Sequence, residues 1–363
     1  MWKTYACGQR PDQLFFSRCS SASAICILTC NETQSYSNVP CMTTPRQPSK
    51  APRRSGHLVS FAAAGTLLAL SLLLAGCASS VLTSSSKPSE INAVGTENEY
   101  ANVLSQIGGK YVQVSSIISN PNTDPHSFEA SPSVAGEVSR AQLIVQNGVG
   151  YDSFMNNLES GSPNPNRKLI VVQKVMGLPE DTPNPHLWYN PKTMPAVAKL
   201  MASDLSELEP SHKAYFETRL RAFDASLKPW FEAIAAFRAK YSGTAVAVTE
   251  PVADYMLQAM GMNILTPYPL QADIMNGVDP PPEDISLEND FFTKHQVKVF
   301  CYNQQVVDAL TTSFRQTAQS ARVPVVGVYE TMPTPGYDYQ SWMVAEVAAI
   351  ETAVTHGTST EHL

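Results

Sequence analysis

Two Pro-His dipeptides occur in a chain that has seven histidines in all. The first lies in NTDPHSFEA, residues 122–130, and the second in NPHLWYN, residues 184–190. Each proline fixes the backbone φ angle just before its histidine, so His126 and His186 sit in turns rather than on helices. An imidazole held in this way can point into a cleft and bind a metal ion. Either histidine taken alone could also be a surface turn residue.

Two glutamates occupy matching places in the second half of the chain. Glu250 ends the strand pattern GTAVAVTE and Glu330 ends VPVVGVYE, while His126 and His186 follow the strand patterns YVQVSSII and KLIVVQ. Because open parallel sheets present ligand sites at the carboxyl ends of their strands, we expect the four side chains to share one cleft. Two imidazoles and two carboxylates form a ligand set that suits Zn²⁺, Mn²⁺ or Fe²⁺.

Strand patterns alternate with helix patterns from residue 91 onward, which indicates βαβ units and largely parallel sheets. The predicted fold class is α/β, with two lobes that are each a mostly parallel sheet flanked by helices and are joined by one long spanning helix. We expect an N-terminal lobe over residues 91–210, the inter-lobe helix over 211–241, a C-terminal lobe over 242–356 and a tail over 357–363.

The inter-lobe helix is predicted from an apolar residue at every third or fourth position between Phe216 and Phe237. About 30 residues at roughly 1.5 Å each give a helix of about 45 Å, long enough to run along both lobes. Pro229 lies within this pattern and removes one main-chain hydrogen bond, which predicts a kink near Ala225.

The segment over residues 42–76 begins with basic residues, continues with an apolar run and ends in Leu74-Ala75-Gly76 just before Cys77. It resembles the signal peptide and lipobox of bacterial lipoproteins, which implies cleavage before Cys77 and lipidation of that residue. Residues 77–90 are rich in serine and predict a flexible tether behind the lipidated cysteine. A plain N-terminal membrane anchor is the alternative.

Residues 1–41 carry five of the seven cysteines and precede this complete signal peptide, which has its own methionine, Met42. They are expected to be a non-native or disordered extension, and a small disulfide-linked module is the alternative. Without residues 1–76 the chain keeps 18 basic and 30 acidic residues, a net charge of −12. Such an acidic domain disfavours nucleic acid as a partner and is compatible with binding cations.

Several longer segments carry a family resemblance: INAVGTENEYANVLSQIGG, NPNTDPHSFEASPSVAGEVSRAQLIVQNGVGYD, NPHLWYNPKTM, VTEPVADYMLQAMG, VVGVYETMP and YQSWM. Through them the chain resembles, from residue 91 to residue 354, the zinc/manganese solute-binding lipoproteins of bacterial ABC transporters. The ligands of that family lie in the DPH loop, in the second Pro-His loop and at the ends of the first and last strands of the second lobe. The resemblance therefore implies His126, His186, Glu250 and Glu330 as metal ligands.

The resemblance also implies a function. We expect extracytoplasmic, high-affinity binding of a divalent metal ion, which is Zn²⁺, Mn²⁺ or Fe²⁺, and its delivery to the membrane permease of an ABC transporter. The protein would be a monomer, held at the membrane by acylated Cys77, and not an enzyme. Glu250 stands where zinc-dedicated members usually have a third histidine, which favours the manganese and iron branch and leaves the metal open. A metal-binding surface adhesin and a metallohydrolase are the alternatives.

Overall fold

The structure is a computed structural model, and it describes residues 90–122 and 124–363. The predicted extension, the signal peptide, Cys77 and the tether up to residue 89 lie outside the described residues. None of the helices within the described part of the chain is both long and apolar enough to cross a lipid bilayer.

The described strands form two four-stranded sheets in which every pairing is parallel. The first sheet has the order β2-β1-β3-β4 and contains β1 (Ile91–Glu97), β2 (Val112–Ile118), β3 (Leu143–Gln146) and β4 (Lys168–Val171). The second sheet has the order β6-β5-β7-β8 and contains β5 (Ala245–Val248), β6 (Asn263–Ile264), β7 (Val299–Asn303) and β8 (Val325–Val328). The predicted α/β architecture with two parallel-sheet lobes is confirmed.

Helices flank both sheets. Those of the first lobe are α1 (Asn98–Gly108), α2 (Pro132–Arg140), α3 (Phe154–Gly161), α4 (Val172–Val175) and α5 (Thr193–Leu208). Two linking helices follow, α6 (Lys213–Ser226) and α7 (Lys228–Tyr241). Those of the second lobe are α8 (Asp254–Ala259), α9 (Tyr268–Met275), α10 (Pro282–Thr293), α11 (Ala309–Ser320) and α12 (Tyr339–His356).

One inner strand of each sheet is buried on both faces. Every residue of β3 and of β7 is buried, and both strands are mostly apolar. Such continuous apolar runs are typical of parallel strands covered by helices on each side. Both sheets therefore form rigid layers, and the loops at their strand ends are the places where functional side chains can project.

The predicted single inter-lobe helix is present as two helices, α6 and α7, which are separated at Leu227. Pro229 lies in the first turn of α7, where a residue without an N–H group is tolerated, so the break follows from the proline as predicted. The apolar stripe is buried, with Phe216, Leu227 and Trp230 fully enclosed. Helix α6 packs on α1 and α5 of the first lobe, whereas α7 packs on α12 of the second.

The last residues of the chain extend the second sheet. Thr360 pairs with Val326 of β8 in parallel, and its main chain exchanges hydrogen bonds with Val325 and Gly327 at 2.9 Å each. The predicted tail therefore includes a short segment that covers the outer edge of β8.

A close contact at Gly95 fixes α1 against β1. A Cβ atom on Gly95 would lie 2.3 Å from the main-chain nitrogen of Ala101, a distance that real Cβ contacts do not show. Because the neighbouring group is backbone, it cannot move aside as a flexible side chain would.

We therefore expect Gly95→Ala to lower the free energy of unfolding by about 1–3 kcal/mol, the usual cost of overpacking a core. Urea denaturation of the metal-free protein measures this. Gly161→Ala is the matched control, because a Cβ atom on Gly161 would meet nothing within 4 Å. Equal stability of the two variants would contradict the close contact.

Candidate metal centre

The loop after β2 presents His126 in a short 3₁₀ turn, Pro125–Ser127. The Asp124 side chain accepts a hydrogen bond from the His126 main-chain N–H at 2.8 Å, and the main-chain oxygen of Asp124 accepts one from the Ser127 hydroxyl at 2.8 Å. These bonds and the proline hold the turn. The imidazole is 23% exposed, and its Nε2 lies 3.1 Å from Oε2 of Glu330.

The loop after β4 builds the same kind of turn around His186. Oδ1 of Asn184 accepts from the His186 main-chain N–H at 2.9 Å and lies 2.8 Å from the ring Nδ1, while the Asn184 amide donates to the Pro251 carbonyl at 2.7 Å. An amide oxygen cannot donate, so Nδ1 carries a proton, and Nε2 has a free lone pair whenever the imidazole is neutral. That Nε2 lies 3.3 Å from Oε2 of Glu330, and the imidazole is fully buried.

Glu330 follows β8 and is the centre of the cluster. Its Oε2 receives a hydrogen bond from the Tyr151 hydroxyl at 3.0 Å, in addition to its contacts with His126 and His186. One ligand atom from each of His126, His186 and Glu330 lies within 4.8 Å of the other two. Two imidazole nitrogens and a carboxylate oxygen at this spacing can hold a divalent transition metal ion.

The electrostatics of the cluster follow from burial and from the charge on Glu330. Burial lowers the pKa of His126, but the hydrogen bond to Glu330 and the charges of Glu330 and Asp124 outweigh it, so the pKa is raised. Burial dominates at His186 and lowers its pKa. Burial also opposes the charge on Glu330, yet the two histidines hold its pKa below the usual range. Without metal, the site therefore favours an ionised Glu330 beside a protonated His126.

Glu250 lies near the cluster but is not one of the three converging residues. It is 2% exposed, its Oε1 accepts a hydrogen bond from the Asn303 amide at 3.1 Å, and its Oε2 has no partner within the described residues. Burial raises its pKa well above the usual range, and the charge on Glu330 adds to this effect. A buried carboxylate oxygen without a partner is costly, and a cation bound at the cluster would satisfy it.

Asn303 connects the two glutamates. Its Nδ2 group donates to Glu250 at 3.1 Å and to Oε1 of Glu330 at 2.7 Å, while its Oδ1 accepts from the Gln305 main-chain N–H at 3.0 Å. The amide thus occupies one oxygen of each carboxylate and leaves Oε2 of each without an amide donor. Asn303 is fully buried at the end of β7.

Two more glutamates of the first lobe are buried near the site. Glu97 ends β1 and Glu99 lies in the first turn of α1, and neither is more than 1% exposed. Burial raises the pKa of both well above the usual range, and the charge on Glu330 adds to the effect at Glu99. At both residues burial therefore favours the uncharged form of the carboxyl group over the carboxylate.

The sequence did not predict three residues that hydrogen-bond to the members of the cluster: Tyr151, Asn184 and Asn303. Asn184 could have been found, because Asp124-Pro-His126 and Asn184-Pro-His186 share one pattern in which the first side chain accepts from the histidine N–H. Tyr151 lies in NGVGYD, whose Gly148, Val149 and Gly150 all have positive φ. Cys77, the predicted lipidation site, lies outside the described residues.

The fold and the cluster together define a class: a two-lobed, parallel-sheet α/β protein with imidazole and carboxylate groups from both lobes meeting at the strand ends. Residues 94–353 match the profile of the ZnuA family, described as zinc-uptake complex component A, periplasmic. This match covers most of the chain, and the protein belongs to that family.

Curated relatives match over a shorter part of the chain. The manganese ABC transporter substrate-binding lipoprotein scaA of Streptococcus gordonii is 27% identical over 162 residues, which is 41% of this chain and 52% of that protein. The chain spans about half the length of the curated relatives it matches. Their names describe substrate-binding proteins rather than enzymes, in agreement with the sequence-based expectation.

Solved structures share the fold over a longer range. FpvC of Pseudomonas aeruginosa, solved in complex with Mn²⁺, has a TM-score of 0.61 and 18% identity, and the match covers 74% of this chain and 99% of FpvC. The periplasmic zinc-binding protein TroA of Treponema pallidum has a TM-score of 0.61 and 16% identity, with the same coverage of both chains. At these identities the likeness establishes the fold of this chain.

Glu250→Gln tests the electrostatics of the metal-free site. A carboxyl group whose pKa is raised on folding binds more protons in the folded state, so folded stability falls as pH rises above the unfolded pKa of about 4.5. Glutamine removes this loss. We expect the stability of the variant relative to wild type to increase between pH 5 and pH 8 in thermal unfolding with a chelator present. A difference that does not change with pH would contradict the raised pKa of Glu250.

Proposed function

We propose that the protein binds a divalent transition metal ion through His126 Nε2, His186 Nε2 and Glu330 Oε2, with Glu250 as the fourth ligand. The observation that carries the proposal is the convergence of the first three atoms within 4.8 Å at the strand ends of two lobes. The partnerless Oε2 of Glu250, which lies beyond the Asn303 bridge, supports the fourth assignment.

The metal is proposed to be cargo rather than a catalytic cofactor. A catalytic site keeps an open position for water or substrate, whereas four protein ligands fill the tetrahedral coordination of Zn²⁺. Two nitrogen and two oxygen donors suit Mn²⁺ and Fe²⁺ as well, although Zn²⁺ generally binds a given site more tightly than Mn²⁺. The family is described for zinc and the scaA relative is named for manganese, so both ions are candidates for this chain.

Delivery to an ABC transporter permease is proposed as the purpose of binding, by analogy with the curated relatives that are named as ABC transporter substrate-binding lipoproteins. The protein would act outside the cytoplasm as a monomer, tethered by residues 77–90 behind a lipidated Cys77, with residues 1–41 and 42–76 absent from the mature form. If deletion of the gene impaired surface attachment and left metal uptake unchanged, the adhesin alternative would replace transport.

Glu250→His tests the fourth ligand and the choice of metal together. An added imidazole favours Zn²⁺ over Mn²⁺, because nitrogen donors suit zinc while carboxylates suit manganese. We expect competition titrations of the two ions, with metal content measured after dialysis, to show a higher Zn²⁺/Mn²⁺ affinity ratio than wild type. Glu232→His, at an exposed position of α7, is the control. An unchanged ratio in Glu250→His would mean that Glu250 is not a ligand.

The affinity for metal should fall as the pH is lowered through roughly 6, because His126 and His186 bind the ion only when Nε2 is unprotonated. Glu330 raises the pKa of His126, so proton competition at this residue begins at a higher pH than for a free histidine. Titrations at pH 7.5 and pH 5.5 measure the change, and exposed His295→Asn should show the same change as wild type. Equal affinities at the two pH values would count against the histidine ligands.

A further inference from the structure

One face of α1 carries three amide side chains spaced four residues apart: Asn98, Asn102 and Gln106. Residues at this spacing lie above one another on a helix. All three hydrogen-bond to the segment over residues 332–340 of the second lobe, which begins two residues after Glu330. This row of side chains and its partners are called the amide ladder below.

Each hydrogen-bonded pairing of the ladder is called a rung, and the first rung joins Asn98 to the main chain of Met332. The Asn98 amide donates to the Met332 carbonyl at 2.9 Å, and its Oδ1 accepts from the Met332 N–H at 2.9 Å. The side chain thus pairs with both polar groups of one residue, as a neighbouring strand would. Asn98 and Met332 are both buried, so removal of the amide would leave two buried main-chain groups without these partners.

The next rungs reach the start of α12. Oδ1 of Asn102 accepts from the main-chain N–H of Tyr339 at 3.1 Å, which is one of the first N–H groups of α12 and lacks a partner within that helix. The amide groups of Gln106 and Gln340 donate to each other at 3.0 and 2.9 Å. Gln106 also donates to Asn102 at 2.7 Å, so the Asn102 and Gln106 pairings are connected to each other.

The residue that precedes Glu330, Tyr329, is also held by hydrogen bonds from the first lobe. The Tyr189 hydroxyl, from the first lobe, donates to the Tyr329 carbonyl at 2.9 Å and lies 3.3 Å from the Tyr329 N–H. Asn98 and Tyr189 therefore bind the chain on either side of Glu330. Helix α1 itself is fixed by the close backbone contact at Gly95.

We propose that Asn98, Asn102 and Gln106 are positioning residues for metal binding: through the amide ladder they hold Glu330, a second-lobe residue, in register with His126 and His186 of the first. The inference rests on the proposed metal-binding function and adds to it a determinant of how long the ion stays bound. Removal of one of these amide side chains substitutes none of the four proposed ligands. It lets the carboxylate of Glu330 shift, which speeds the release of the ion.

The test is the dissociation rate of Zn²⁺ and of Mn²⁺ from Asn98→Ala, followed by stopped-flow mixing of the loaded protein with excess chelator. We expect release roughly tenfold faster than from wild type, comparable to the loss of a partner that orients a metal ligand. Asn276→Ala is the matched control, since that exposed asparagine also hydrogen-bonds a main-chain carbonyl, within α9. It should release metal at the wild-type rate.

Gln106→Ala, Gln340→Ala and the double variant form a cycle at the least buried rung. Because the two amides donate to each other, we expect the rise in release rate in the double variant to be smaller than the product of the rises in the two single variants. This cycle also serves if Asn98→Ala fails to fold. The absorption spectrum of bound Co²⁺ gives a second readout, because a displaced carboxylate changes the coordination geometry whereas a purely structural loss of stability does not.

The outcomes separate the ladder from the proposed function. Wild-type protein that binds neither ion overturns both. A second outcome overturns the ladder alone. In it, wild type binds metal, and the ladder variants are less stable in urea but have the same metal release rate and the same Co²⁺ absorption spectrum as Asn276→Ala. Faster release with an altered Co²⁺ spectrum in the ladder variants supports it.

Discussion

A carboxylate with no exposed surface, such as that of Glu330, needs hydrogen bonds or opposite charge from its surroundings. Here Oε2 is met by His126, His186 and Tyr151, all from the first lobe, whereas Oε1 is met by Asn303 from the second. Because the partners come from separate loops of both lobes, the lobes must meet at this point for the charge to be tolerated. The buried charge of Glu330 thus links the folding of the two sheets to the formation of the site.

The order of the strands explains how the second lobe can place two carboxylates beside each other. Strands β5, β7 and β8 are neighbours, so the side chains at their carboxyl ends form a row one strand spacing apart, about 4.8 Å per step. Glu250 and Glu330 follow the outer two strands of this row and Asn303 ends the middle one. An amide donor therefore lies between two acceptors, and the raised pKa of Glu250, which burial causes and the charge on Glu330 increases, favours its uncharged form.

Much of this arrangement could be predicted from the sequence, because it depends on local rules. Apolar runs and their spacing predicted both sheets, and two Pro-His turns predicted where imidazoles would be held. Pro229 predicted a kink near Ala225, and the structure has a break at Leu227 between α6 and α7. The rest depends on contacts between distant residues. Asn303 is an ordinary strand-end amide until β7 is known to lie between β5 and β8. Asn98, Asn102 and Gln106 look like solvated helix residues until residues 332–340 are seen against α1. The sequence pattern also does not contain the distances that place Glu250 outside the group formed by His126, His186 and Glu330.

Glu250 is held less firmly than the other three proposed ligands, and this difference bears on the proposed choice between Zn²⁺ and Mn²⁺. His126, His186 and Glu330 are already close together, and each is held by turns, by the Asn184 hydrogen bond or by the amide ladder, so a metal ion has little freedom to change their geometry. Glu250 is held at one oxygen by Asn303, and its second oxygen is unpartnered. A carboxylate can bind through one oxygen, which completes a tetrahedron for Zn²⁺, or through both, which raises the coordination number toward what Mn²⁺ accepts. Binding through both would make Oε1 of Glu250 share its lone pairs between the metal ion and the Asn303 hydrogen bond. The proposed choice between ions therefore depends on the ligands present and also on the direction from which the Asn303 hydrogen bond lets Oε1 of Glu250 approach the ion.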